Sequence, residues 1–219
     1  MSRALAPRHA YSPAERRSDA VVHVTGVVAV LLGVPALIGT TAMIRPDPSA
    51  LVGVSVYGGA LAAMIIFSAI YNMTRGGGLG WLWRRLDHSA IYVKIAGTYT
   101  PFSLLSGQGL ALTLGLWGAA GLGVALKLLD PERFRWLSLA LYLGMGWAGV
   151  VAGQALIAAL PAEVIALMLA GGLIYTLGVA FYLWQGLSFH ITIWHVFVLV
   201  ASLLFYAAVV VLVVAGPVV

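Results

Sequence analysis

The sequence predicts an all-α integral membrane protein of seven transmembrane helices. Three observations lead there. The 219 residues are 62% hydrophobic and only 9% charged, whereas a soluble domain is about half apolar and about a quarter charged. Mean hydropathy is +1.01. The apolar residues also fall into seven runs, each close to the ~20 residues that cross a hydrocarbon core.

Residues 1–20 are polar and carry Arg3, Arg8, Arg16 and Arg17. They precede the first apolar run and have no apolar stretch of signal-peptide type among them, so they read as a cytoplasmic tail and not a cleaved leader. Residues 21–219 form the seven-helix transmembrane domain. The first run covers residues 21–44 and stops at Arg45-Pro46-Asp47-Pro48. The second covers 50–74 and ends in Arg75 and three glycines. The third, 84–106, reads RRLDHSAIYVKIAGTYTPFSLLS and holds Pro101 near its end, where the missing N–H removes one helical hydrogen bond. The fourth, 110–129, is closed by Asp130-Pro131. The fifth covers 134–160, the sixth 162–185 and the seventh 190–214.

Charge fixes the orientation. The tail, the 75–85 loop and the 127–135 loop hold ten arginines and lysines, and Arg45 alone falls on the other side. Positive-inside bias then places the N-terminus in the cytoplasm and the C-terminus outside, in a cell inner (plasma) membrane. The basic residues lie between apolar runs and form no compact patch, which argues against nucleic acid as a partner and for membrane lipids. With no cysteine in the chain, disulfides and thiolate metal sites are excluded. Small residues at fourth positions, Gly115, Ala119 and Gly123 and again Gly149 and Gly153, read as helix-packing positions.

The third run is the one the others are expected to pack around. An acid or a lysine at mid-bilayer costs about 2.5–3.5 kcal/mol on insertion scales, yet this run contains Asp87 and Lys94, seven residues apart and so nearly on one helical face. Helix tilt aims Lys94 back toward Asp87, and two readings stand for it: a lysine that snorkels or faces a wet cavity, or one whose ammonium pairs with Asp87. Placed by depth, His23, Ser68, Asn72, Asp87, His88, His190 and His195 all fall at the cytoplasmic ends of the first, second, third and seventh helices. Polar residues converge there and nowhere in the outer half.

Four stretches carry a resemblance: RRLDHSAIYVKIAGTYTPF at 84–102, RFRWLSLALYLGMGW at 133–147, GGLIYTLGVAFYLW at 171–184 and IWHVFVL at 193–199. Together they resemble the hemolysin III family, the bacterial branch of the progestin and adipoQ receptor proteins, over nearly the whole chain from about residue 15. The resemblance implies seven helices, a cytoplasmic N-terminus and a zinc ion near the inner leaflet. The family's zinc site uses Ser-x-x-x-His late in helix two, an Asp at the start of helix three and His-x-x-x-His in helix seven. Ser68, Asp87 and His195 match. Asn72 stands at the helix-two histidine and Ile191 at the first helix-seven histidine. His190 and His195, five apart, lie about 140° apart around a helix and cannot share a metal there. The family's zinc site is therefore expected to be degenerate and to hold less than one tightly bound zinc per chain, with His23 and His190 as the substitutes to consider.

Three functions are then open. A non-catalytic lipid-sensing or membrane-homeostasis factor is the first. A zinc-dependent hydrolase of lipid amides, similar to ceramidases, is the second, with Ser68 and Asp87 as the candidate catalytic groups. A channel or pore is the third.

Overall fold

Helix formation starts before the apolar sequence does. The computed structural model describes residues 11–74, 78–129 and 134–216, and its first helix, α1, spans Pro13–Ile44. Ser12 caps it: the Ser12 hydroxyl accepts from the Glu15 N–H at 3.2 Å, and the Glu15 carboxylate accepts from the Ser12 N–H at 2.7 Å. This reciprocal box, with Pro13 at the first helical position, satisfies donors that a helix start leaves open. Of the expected tail, residues 13–20 are therefore helical, and residues 1–10 with Arg3 and Arg8 lie outside the described residues.

The chain continues through α2 (Pro48–Met73), α3 (Gly80–Ser106), α4 (Leu110–Leu129), α5 (Arg135–Ala152), α6 (Gln154–Ala158), α7 (Ala162–Leu183) and α8 (His190–Ala215). Asp47 caps α2, accepting from Ser49 Oγ at 2.6 Å and from the Ala50 N–H at 2.8 Å. Those two bonds hold its carboxyl below the usual carboxylate range. The fifth apolar run is one segment in the sequence but two helices in the structure. The break falls at Gly153, a residue that costs a helix interior about 1 kcal/mol relative to alanine.

The described residues are all-helical, without a strand. Five helices, α1, α2, α4, α7 and α8, are long and apolar enough to cross a membrane. α3 and α5 have 27 and 18 residues but fall short of the same measure, α3 because arginines, Asp87, Lys94 and a run of hydroxyl residues dilute it.

α3 sits at the centre. It packs on α2, α4, α5, α6 and α8, and residues 96–103 are buried on every side. Two of its hydroxyl groups bond back within the helix, Thr98 donating to the Lys94 carbonyl at 2.7 Å and Thr100 to that of Ala96 at 3.1 Å. Such back-bonding lets a polar helix pass through an apolar core. The α2–α3 crossing is close because Gly97 has no side chain: a Cβ there would lie 2.8 Å from that of Ala60. Of the small residues noted in sequence, Gly123 lies under the Tyr92 ring and Gly149 under that of Tyr99, while Gly115 faces open space. Gly115 is therefore not a packing position within the chain.

α1 and α8 are parallel neighbours. Asp19 meets His195, and further along Tyr206 Oη donates to the Gly33 carbonyl at 2.8 Å. The start of α1, the end of α2 and the starts of α3 and α8 consequently share one end of the bundle.

Candidate metal centre

The two helix starts are fastened side by side. Phe189, which precedes α8, has φ 62° and is the one non-glycine residue with positive φ among the described residues. That left-handed conformation is disfavoured for an L-residue by about 1–2 kcal/mol. Its N–H is held by Glu15 Oε1 of α1 at 2.8 Å, so an acid on one helix caps another. One step along, Ser18 and Thr192 hydroxyls are 3.1 Å apart. A turn deeper, Asp19 Oδ1 and His195 Nδ1 are 2.5 Å apart. Asp19 Oδ2 lies 3.6 Å from His23 Nε2, one turn on along α1, and the His23 and His195 rings are 4.4 Å apart between centroids.

Asp19, His23 and His195 thus form a cluster whose ligand atoms all lie within 4.8 Å of one another. A divalent metal fits it. The donors are one carboxylate and two imidazoles, a set that metal sites use with a further position open. His23 Nε2 is buried and lacks a hydrogen-bond partner, as a ligand atom would in the absence of its ion. Asp19 and His23 are only 7% and 5% exposed, so a charge held there is shielded from water and interacts strongly.

The expected site residues distribute around this cluster. Ser68 lies beside the Asp87 carboxyl, and Asp87 is close enough to His23 and Asp19 to interact electrostatically with both. Asn72 donates to the Ser68 carbonyl at 3.0 Å and to its hydroxyl at 3.4 Å. His190 stacks on Tyr11 at 5.8 Å and is not among the clustered ligands. His88 lies edge-on to Tyr71 at 6.2 Å, and its own carbonyl accepts from Tyr142 Oη. Ile191 has no donor to offer, as its side chain dictates. Lys94 does not pair with Asp87. Its ammonium lies over the rings of Tyr175 at 4.5 Å and Phe205 at 4.6 Å, whose faces attract a cation.

Asp19 is the residue that reading for spans passes over. It precedes the first apolar run and falls within the polar tail. A signal was present: Asp19 and His23 stand four apart, the spacing that puts two side chains on one helical face.

Comparison with known proteins matches the same span. A family model described as "Haemolysin-III related" matches residues 14–206. Hemolysin-3 of Bacillus cereus is 37% identical over 197 residues, covering 88% of this chain and 89% of that protein. The Hemolysin-3 homolog of Bacillus subtilis (strain 168) is 36% identical over 193 residues, 86% and 89% of the two chains. The monocyte to macrophage differentiation factor of Homo sapiens is 28% identical over 192 residues, 80% and 77%.

Proposed function

Since the chain belongs to the hemolysin III family, we propose that it is a seven-span protein of the cell inner membrane whose role depends on a divalent metal, zinc the first candidate, held by Asp19, His23 and His195. The single observation that carries this reading is the three-ligand cluster joining α1 to α8, with Asp19 and His23 buried and His195 half-buried. The family's own ligand positions are interrupted by Asn72 and Ile191. Asp19 and His23 offer a different set around the same His195.

The seven-span count is supported by direction. α1 and α8 run parallel, which an odd number of crossings requires if α5 and α6 together make one. The cytoplasmic N-terminus rests on the ten-to-one distribution of basic residues.

The role supported first is non-catalytic: sensing of membrane lipids or maintenance of the membrane. In that role Asp19, His23 and His195 would hold the metal between α1 and α8, its charge would offset the buried Asp19 carboxylate, and a lipid that parts the two helices would draw the ligands apart. A second reading, hydrolysis of a lipid amide, is favoured by the Ser68–Asp87 pair beside the cluster. A bound zinc would supply Lewis acidity to such a reaction. Asp87 would hold or move a proton, and Ser68 would fix the Asp87 carboxyl in place.

Elemental analysis of the purified protein tests the first claim. One divalent metal per chain is expected, lost in Asp19→Ala and in His195→Ala and retained in Asn72→Ala. A native protein without metal after purification in metal-supplemented buffer would refute it. Release of fatty acid from a ceramide-like amide, abolished by Asp87→Asn, would select the second reading over the first.

A further inference from the structure

The start of α8 needs an acceptor that its own sequence does not supply. Four N–H groups are left open at any helix start, and Phe189, which precedes α8, has no side-chain atom that can accept from them. Its φ of 62° is also unfavourable for an L-residue. The missing acceptor comes from another helix. Glu15 is 5% exposed, and its carboxylate divides between two helix starts. Oε2 accepts from the Ser12 N–H of α1 at 2.7 Å, and Oε1 accepts from the Phe189 N–H at 2.8 Å. A carboxylate at a helix N-terminus is further favoured by the helix dipole.

That bridge fixes how far α8 is advanced along α1. Apolar packing between two parallel helices is non-directional, so it sets their register less sharply than directed hydrogen bonds do. A slip of α8 by one residue would move it about 1.5 Å and turn its face by about 100°, taking His195 off Asp19. The contacts beyond the bridge follow in step. Thr192 Oγ1 donates to the Glu15 carbonyl at 3.4 Å and lies 3.1 Å from Ser18 Oγ, and His195 Nδ1 meets Asp19 Oδ1. The bond from Tyr206 Oη to the Gly33 carbonyl lies about 16 Å further along α8 than His195, at about 1.5 Å per residue.

We propose that Glu15 is a positioning residue of the Asp19, His23 and His195 cluster: by bonding the Phe189 N–H it holds α8 at the register in which His195 completes the ligand set. The inference rests on the reading of that cluster as a metal site. Glu15 is not itself among the clustered ligands. It acts through the fraction of molecules whose three ligand atoms are already gathered, and apparent affinity falls in proportion to that fraction.

Two measurements on the full-length protein in lipid nanodiscs test it. The first is zinc affinity by competition with a chelator. Glu15→Ala should weaken zinc binding at least about tenfold, the lower end of the loss when the outer partners of a metal site are removed. Glu15→Gln should bind nearly as tightly as the native protein, because its amide oxygen can still accept from Phe189. Tyr206→Phe, which loses only the distant bond, should match the native protein. If Glu15→Ala does not fold, Glu15→Asp keeps the charge but is one methylene too short for the bridge, and it should show the same contrast with Glu15→Gln. The second measurement needs no metal. The chain has no cysteine, so Ser18→Cys with Thr192→Cys places its two thiols where the hydroxyls meet. In metal-free protein that pair should form a disulfide several-fold faster with Glu15 in place than with Glu15→Ala. Unchanged zinc affinity in Glu15→Ala, a Glu15→Gln as weak as Glu15→Ala, or equal disulfide rates with and without Glu15 would each overturn the proposal. A native protein that binds no zinc but still needs Glu15 for the fast disulfide would refute the metal reading while supporting Glu15 as the residue that seats α8.

Discussion

Asp19 shows how much one carboxylate can organise. Its two oxygens address two histidines on two helices, so removing its charge weakens its hold on both imidazoles at once. Asp19→Asn should therefore lower stability by about 3 kcal/mol or more, the range for breaking a buried pair, and should abolish the rise in unfolding temperature that added metal gives the native protein. Differential scanning in detergent with and without zinc measures both. His190→Leu, removing a ring outside the cluster, should leave the metal-dependent rise in place. Lys94 gives a second expectation at this scale. Its ammonium contacts Phe205 but not Asp87, so Lys94→Met combined with Phe205→Leu should show a coupling of about 0.5–2 kcal/mol. Lys94→Met combined with Asp87→Asn should be additive within about 0.5 kcal/mol. The reverse pattern would restore the ion pair that the sequence suggests. At the scale of single residues the sequence exposed the unusual groups, His23, Ser68, Asp87, Lys94 and His195, because each is costly in an apolar run. It did not disclose their partners. Helical arithmetic within α3 points Lys94 at Asp87, whereas its ring contacts come from α7 and α8, which no local rule relates to position 94.

Among the elements, boundaries followed chemistry where the chemistry was local. The ends of α4 coincide with the limits of its apolar run, Leu110 and Leu129. α1 begins earlier than its apolar run because a capping box, not hydropathy, decides where a helix starts. The division of α5 from α6 at Gly153 escaped notice because glycine is common in membrane helices and only tertiary context determines which one breaks them. Glycine has a different function at the α2–α3 crossing. Gly97→Ala would drive a methyl group into Ala60 and should cost about 1–3 kcal/mol, as overpacking does. Gly115→Ala, facing open space, should cost nothing measurable and serves as its control. Thermal unfolding of the two variants side by side decides whether the crossing is as tight as described.

For the molecule as a whole, composition and hydropathy were sufficient to recognise a helical membrane protein, and the depth of the polar residues indicated the end of the bundle where α1 and α8 meet. The choice of neighbours was not legible, since seven apolar runs can be arranged in many rings. The orientation can be tested directly because the chain has no cysteine. Leu79→Cys, between α2 and α3, should react with an impermeant thiol reagent only from the cytoplasmic side. Gln108→Cys, between α3 and α4, should react only from outside. Exchange of the two accessibilities would invert the topology.

The side-by-side seating of α1 and α8 also bears on how the protein is made. A chain that enters the membrane from its N-terminus delivers Asp19 and His23 first and His195 last. Until the final helix arrives, two of the three ligands wait at the edge of an open assembly. A nascent chain cut short before residue 190 should carry all of α1 to α7 and still fail to retain metal. Capture of the ion would then mark the finished protein and distinguish it from its own unfinished intermediates, a checkpoint that membrane quality control could read.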